Sequence, residues 1–163
     1  MATNFLEATG GSTAGYFSSV TTLISSEMVS LASSLTAVSA STFTSSGSFG
    51  QAIWGEVYLK VTASFAPTAG GSISGWFLRS PDGGTTFEST TGSSGIGIGR
   101  APDFIVAFST VSYASSNIIG GSGLVKMPWS PSKVFIQNNS GATLPSSTNG
   151  YPLISIGPVA VQY

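Results

Sequence analysis

Between residues 56 and 65 the chain alternates. Val57, Leu59, Val61, Ala63 and Phe65 are separated by Tyr58, Lys60, Thr62 and Ser64. A period of two belongs to a strand with one face in a core, because successive side chains on a strand point to opposite sides. A turn at 67–71, with Pro67, Gly70 and Gly71, leads into an apolar segment at 73–79, and the two segments read as an antiparallel pair. Pro81-Asp82-Gly83-Gly84 sets a fixed φ and an acceptor side chain ahead of two residues free to take positive φ, which predicts a tight turn. A short strand over 85–89 is expected after it.

Residues 91–99 read as a Gly/Ser loop anchored by Ile96 and Ile98, ending at Arg100-Ala101-Pro102-Asp103. The unbroken apolar run at 104–108 predicts a strand buried on both faces. Weaker strands are expected at 111–119 and 124–127. Pro128 and Pro131 bracket Trp129 and turn the chain into a strand at 133–137, and Asn138-Asn139-Ser140-Gly141 predicts the next turn. Strands at 153–156 and 159–163 follow. In residues 18–41, Met28, Leu31, Leu35 and Val38 recur at helical spacing, but dense serine and threonine lower helix propensity, so strands or extended structure are the preferred reading. Residues 1–15 read as a flexible N-terminal arm, and 16–163 as a single domain. Many short strands between turn signals give the expected fold class: all-β, an antiparallel β-sandwich, jelly-roll-like, with an extended arm.

Composition narrows the function. The chain has 163 residues, 41% hydrophobic and 11% aromatic, which is too apolar for a disordered Ser/Gly segment. Charged residues make up only 7%, against about 25% in an ordinary globular protein, and the net charge is −1. A surface so poor in ions suits a chain that works in association with others. There are no cysteines and no histidines, so thiolate chemistry, Ser-His-Asp and Cys-His catalysis and the commonest metal ligand are excluded. No cofactor or metal site is expected. The first ten residues do not read as a secretory signal, and no run is long enough to span a membrane. The expectation is a soluble protein made in a cytoplasm, with no membrane contact.

Six acidic residues remain, Glu7, Glu27, Glu56, Asp82, Glu88 and Asp103. A glycosidase would need two of them facing across a cleft. Asp82 reads instead as a turn former, Glu88 as an exposed strand residue and Asp103 as a loop partner of Arg100. Arg79, Arg100 and Asp103 are the expected structural ion pairs, fixing the loop ahead of the buried strand. The five cations, Lys60, Arg79, Arg100, Lys126 and Lys133, are scattered, which argues against nucleic-acid binding. Gly95-Ile96-Gly97-Ile98-Gly99 neither follows a clear strand nor opens a helix, so it reads as a loop and not a nucleotide fingerprint. Trp54, Trp76 and Trp129 are ranked as core first, protein interface second and sugar platform third.

The segments Trp76-Phe77-Leu78-Arg79-Ser80-Pro81-Asp82-Gly83 with Phe87-Glu88, and Arg100-Ala101-Pro102-Asp103-Phe104-Ile105-Val106 with Phe108, carry a resemblance. Pro131 and Lys133-Val134-Phe135-Ile136-Gln137-Asn138-Asn139-Ser140-Gly141 extend it, in similar order and spacing over residues 51–163. In these features the chain resembles the capsid decoration, or cement, proteins of tailed phages. The resemblance implies a jelly-roll-like sandwich on the exterior of a phage head, assembled in the host cytoplasm. Its partners would be the major capsid protein and other copies of itself, as a homodimer or homotrimer. The residues expected at capsid or self contacts are Phe5, Leu6 and Tyr16 in and beside the arm, Ile96 and Ile98 in the loop, and Trp129. The rival readings are a tail or head-fibre β-module and a carbohydrate-binding module.

Overall fold

In chain order the strands are β1 (Thr21–Ile24), β2 (Thr36–Val38), β3 (Trp54–Val61), β4 (Ser72–Arg79), β5 (Thr91–Gly92), β6 (Gly95–Ile96), β7 (Phe104–Ala107), β8 (Asn117–Lys126), β9 (Ser132–Asn139) and β10 (Leu153–Val159). One turn of 3-10 helix lies at Ser26–Met28. The computed structural model describes residues 21–44, 54–61, 64–92, 95–96, 98–109, 117–146 and 152–159. The expected arm at 1–15, with Phe5 and Leu6, and Tyr16 beyond it, lie outside the described residues.

Eight of the strands form two antiparallel sheets, ordered β1-β10-β3-β8 and β2-β9-β4-β7. Consecutive strands cross from one sheet to the other, except β4 and β7, which lie side by side. This winding is a jelly roll, two interlocked Greek keys. The alternation read in β3 is buried as it reads, with Val57, Leu59 and Val61 in the core and Glu56, Tyr58 and Lys60 on the outer face. Ile73 and Phe77 of β4, Phe104 and Val106 of β7, and Ile154 and Ile156 of β10 complete the layer between the sheets. Trp76, Leu78 and Phe135, on the other side of β4 and β9, make a second, smaller cluster that Phe87 and Ile98 cover. Gly75 sits mid-strand because a Cβ there would overlap the buried ring of Phe104.

Several local expectations are corrected. The segments at 56–65 and 73–79 do not pair, since β3 and β4 lie in opposite sheets. Both carry an apolar face, and a crossover lets those faces meet across the core; Phe65 marks its path by packing edge-on against Phe108, ring centres 5.3 Å apart. No strand forms over 85–89, because the Asp82 carboxylate takes the backbone N–H groups of Thr85 and Thr86 that a ladder would need. The run at 104–108 is not buried on both faces. It supplies β7, an edge strand with Phe104 and Val106 inward and Ile105 36% exposed.

Residues 111–116 lie outside the described residues; the rest of the strand expected at 111–119 and the one expected at 124–127 belong to a single strand, β8, whose register against β3 slips between Glu56 and Tyr58. Residues 153–159 form one strand, β10, in which Pro158 stands opposite Gly55 of β3, while 160–163 of the strand expected at 159–163 lie outside the described residues. Of the segment at 18–41, residues 21–41 are described, and over them the extended reading holds, with a 3-10 turn added. Met28 and Leu31 are buried while Leu35 and Val38 are exposed, so the four do not share one helical face.

Candidate functional site

The excursion from Ser80 to Asp103 lays Phe87 and Ile98 over the outer face of the β2-β9-β4-β7 sheet, and its first turn is built on Asp82. That carboxylate accepts hydrogen bonds from the Ser80 hydroxyl at 2.7 Å, the Thr86 N–H at 2.8 Å and the Thr86 hydroxyl at 2.7 Å. The Thr86 backbone and hydroxyl donors, followed by Ser80, hold its pKa far below the ordinary aspartate range. Gly83 and Gly84 take φ of 75° and 105°, which the turn requires and which side chains resist. Beyond the turn, Phe87 packs on the Trp76 cluster with the Lys133 ammonium 5.2 Å from its ring centre. Ile98 is half-buried against the same cluster; Ile96 contributes its backbone to the β5-β6 hairpin.

Arg100 closes this loop. Its guanidinium donates to Asp103 at 2.6 Å, to the Phe77 carbonyl at 2.8 Å and to Glu88 at 3.1 Å. Asp103 also accepts the Phe77 N–H at 2.7 Å, and the Trp76 indole donates to the Arg100 carbonyl at 3.1 Å. Arg79 is the loosest member, 3.9 Å from Asp103 with 58% of its side chain exposed. The chain thus brings Arg79, Arg100 and Asp103 together. Glu88 joins them as a fourth partner; it is exposed as expected, but it lies in a loop and not in a strand. Burial alone would raise the Glu88 carboxyl, but the Arg79 N–H and the Arg100 hydrogen bond and charge outweigh it and lower the pKa. Burial disfavours the Arg100 charge, yet Asp103 and Glu88 together raise its pKa. Because the pairs are partly exposed, the network's main effect is to fix geometry.

Glu27, where burial is outweighed by the Ala40 N–H and local hydrogen bonds, joins Asp82 and Glu88 in having a depressed pKa. A carboxylate depressed in the folded state stabilises fully above its unfolded pKa, and the gain is lost as pH falls through the folded value. The chain has no histidine. The melting temperature should therefore stay flat from about pH 8 to about pH 5 and decline below about pH 4.5. A step near neutrality, or a rise on acidification, would contradict it.

At one end of the sandwich, between the C-terminal ends of β4 and β8, lies a groove of about 290 Å³. Buried Phe77 and Met127 form its floor, Pro128, Trp129 and Ser130 a wall, and Arg79 and Lys126 its charged margin. Trp129 is 75% exposed, the most exposed large apolar residue among those described, on a loop stiffened by Pro128 and Pro131. Further apolar side chains stand on the outer face of the β1-β10-β3-β8 sheet. There Trp54 stands opposite Lys126, and Leu124 lies diagonally next to it, 37% and 52% exposed. The three tryptophans therefore divide, Trp76 being core while Trp54 and Trp129 face solvent.

Among the described residues no group of three acidic side chains is placed to hold a metal, and no helix is long and apolar enough to cross a membrane. The arrangement can stack an apolar group on Trp129 and ion-pair an anion with Arg79 and Lys126. Comparison with protein-family models, curated proteins and solved structures finds no match for this chain.

Proposed function

We propose that this chain is a non-catalytic structural module that docks on the exterior of a tailed-phage head and clamps neighbouring major capsid subunits. The observation that carries the reading is the exposure of three large apolar side chains, Trp129, Trp54 and Leu124, on a jelly roll that is otherwise poor in charge. Tryptophan and arginine are the residues that most often dominate protein interfaces, and sparse charge limits the desolvation cost of docking. The motif resemblance to decoration proteins points the same way. Among the described residues, the carboxylates that the fold perturbs are lowered, whereas a general acid needs the opposite shift. Each contact contributes only about 25 cal/mol per Å² buried, before association costs, so the clamp works by repetition over a lattice, helped by pairing of copies as a dimer or trimer.

The test is cementing itself. Emptied heads incubated with the purified protein should resist heat better than bare heads, in proportion to the protein bound. Heads that bind it and break at the same temperature would remove the clamping role. Exposed Trp129 also favours a second reading, a carbohydrate-binding module. Quenching of its fluorescence by members of a glycan panel, with no gain in head stability, would select that reading.

A further inference from the structure

We infer that the groove beside Trp129 receives an acidic segment of a protein partner, with an apolar side chain seated on the indole and a carboxylate between Arg79 and Lys126. This rests on the reading of the chain as a protein-docking module and names the chemistry of the segment. The side chains around the groove are donors or apolar: Arg79 and Lys126 offer only N–H groups, and Ser130 is the single side-chain acceptor. Sugar hydroxyls both donate and accept, and they would find few side-chain acceptors here. A carboxylate only accepts, and it matches both cations.

The charge is also free to act. The chain has five cations, and two stand at this groove. Among the described residues Lys126 has no ion-pair partner, and the Arg79 contact to Asp103 is long at 3.9 Å. The volume of about 290 Å³ suits one large side chain with its neighbouring carboxylate, and Trp54 and Leu124 extend the apolar surface for flanking residues.

The experiment titrates the full chain with acetyl-Asp-Phe-Glu-amide and its neutral counterpart acetyl-Asn-Phe-Gln-amide, following the indole N–H signals by NMR. The Trp129 signal is assigned by its loss in Trp129→Phe. The acidic peptide should move that signal and leave that of Trp76, and raising salt from about 20 to about 300 mM should weaken the effect. Lys126→Glu should reduce affinity about tenfold with an unchanged melting temperature. Equal response to the neutral peptide, response to galacturonic acid in place of either peptide, or no response overturns the inference. A chain that binds heads yet ignores the acidic peptide loses this inference alone. One that takes the peptide but binds no head keeps the groove and loses the proposed function.

Discussion

Phe77→Ala lowers the melting temperature by roughly 10 °C. The ring is 1% exposed, stacks near Phe43 with ring centres 6.1 Å apart, meets Phe104 at a tilt with centres 5.9 Å apart, and forms the floor of the Trp129 groove. Removing a buried phenylalanine costs about 3–5 kcal/mol, because the surrounding side chains close the cavity only partly. For a domain of this length each kcal/mol moves the midpoint by about 2–4 °C. Leu124→Ala, at a position 52% exposed, provides the contrast and should stay within about 0.5 kcal/mol of the parent. A Phe77→Ala loss under about 1 kcal/mol would mean that the inter-sheet core is not where it is described.

Asp103→Ala has the next largest effect, and it is visible in two ways. The carboxylate binds the Phe77 N–H and Arg100, so its loss leaves a donor in the core strand and a guanidinium without their acceptor. Removing one member of a buried pair costs about 3–5 kcal/mol; with Arg100 30% exposed and Glu88 still beside it, about 2–3 kcal/mol is expected. Arg100 is also a trypsin site. Freed from Asp103, it should be cut faster, giving fragments 1–100 and 101–163. Asp103→Asn keeps an acceptor for the Phe77 N–H but loses the charge, and should fall between parent and alanine. Unchanged melting and cleavage would show that the loop is held by the Phe87 and Ile98 contacts alone.

The fold class was legible because β3 alternates cleanly and because Pro81-Asp82-Gly83-Gly84 and Asn138-Asn139-Ser140-Gly141 are strong turn signals. Strand pairing was not. Whether 56–65 meets 73–79 depends on which distant strands compete for its edges, and β3 finds β8 and β10 while β4 finds β7 and β9. Burial on two faces also misleads. The apolar run at 104–108 belongs to an edge strand, and β4 is buried throughout its middle because the loop from Ser80 to Asp103 covers its outer side.

In the loop network, charge and spacing pointed to Arg79, Arg100 and Asp103, but Glu88 enters only because Asp82 draws its segment out of a strand and toward Arg100. Asn138 shows the same limit. It reads as a turn residue, yet it is fully buried, and its amide ties the carbonyls of Leu31 and Ala142 at 2.9 Å each. No local pattern separates exposed Trp129 from buried Trp76, since their exposure is decided by which loop passes over which sheet.

These features make the protein a rigid scaffold with one apolar, cation-edged end, and its proposed role depends on that end meeting a repeating surface. The number of copies bound per head at saturation, counted with a fluorescently tagged chain, tests this most directly. A fixed ratio to the major capsid subunit and label spread over the whole shell are expected. Label confined to a few positions would indicate a fibre or tail part, and no saturable binding would contradict a role on the head.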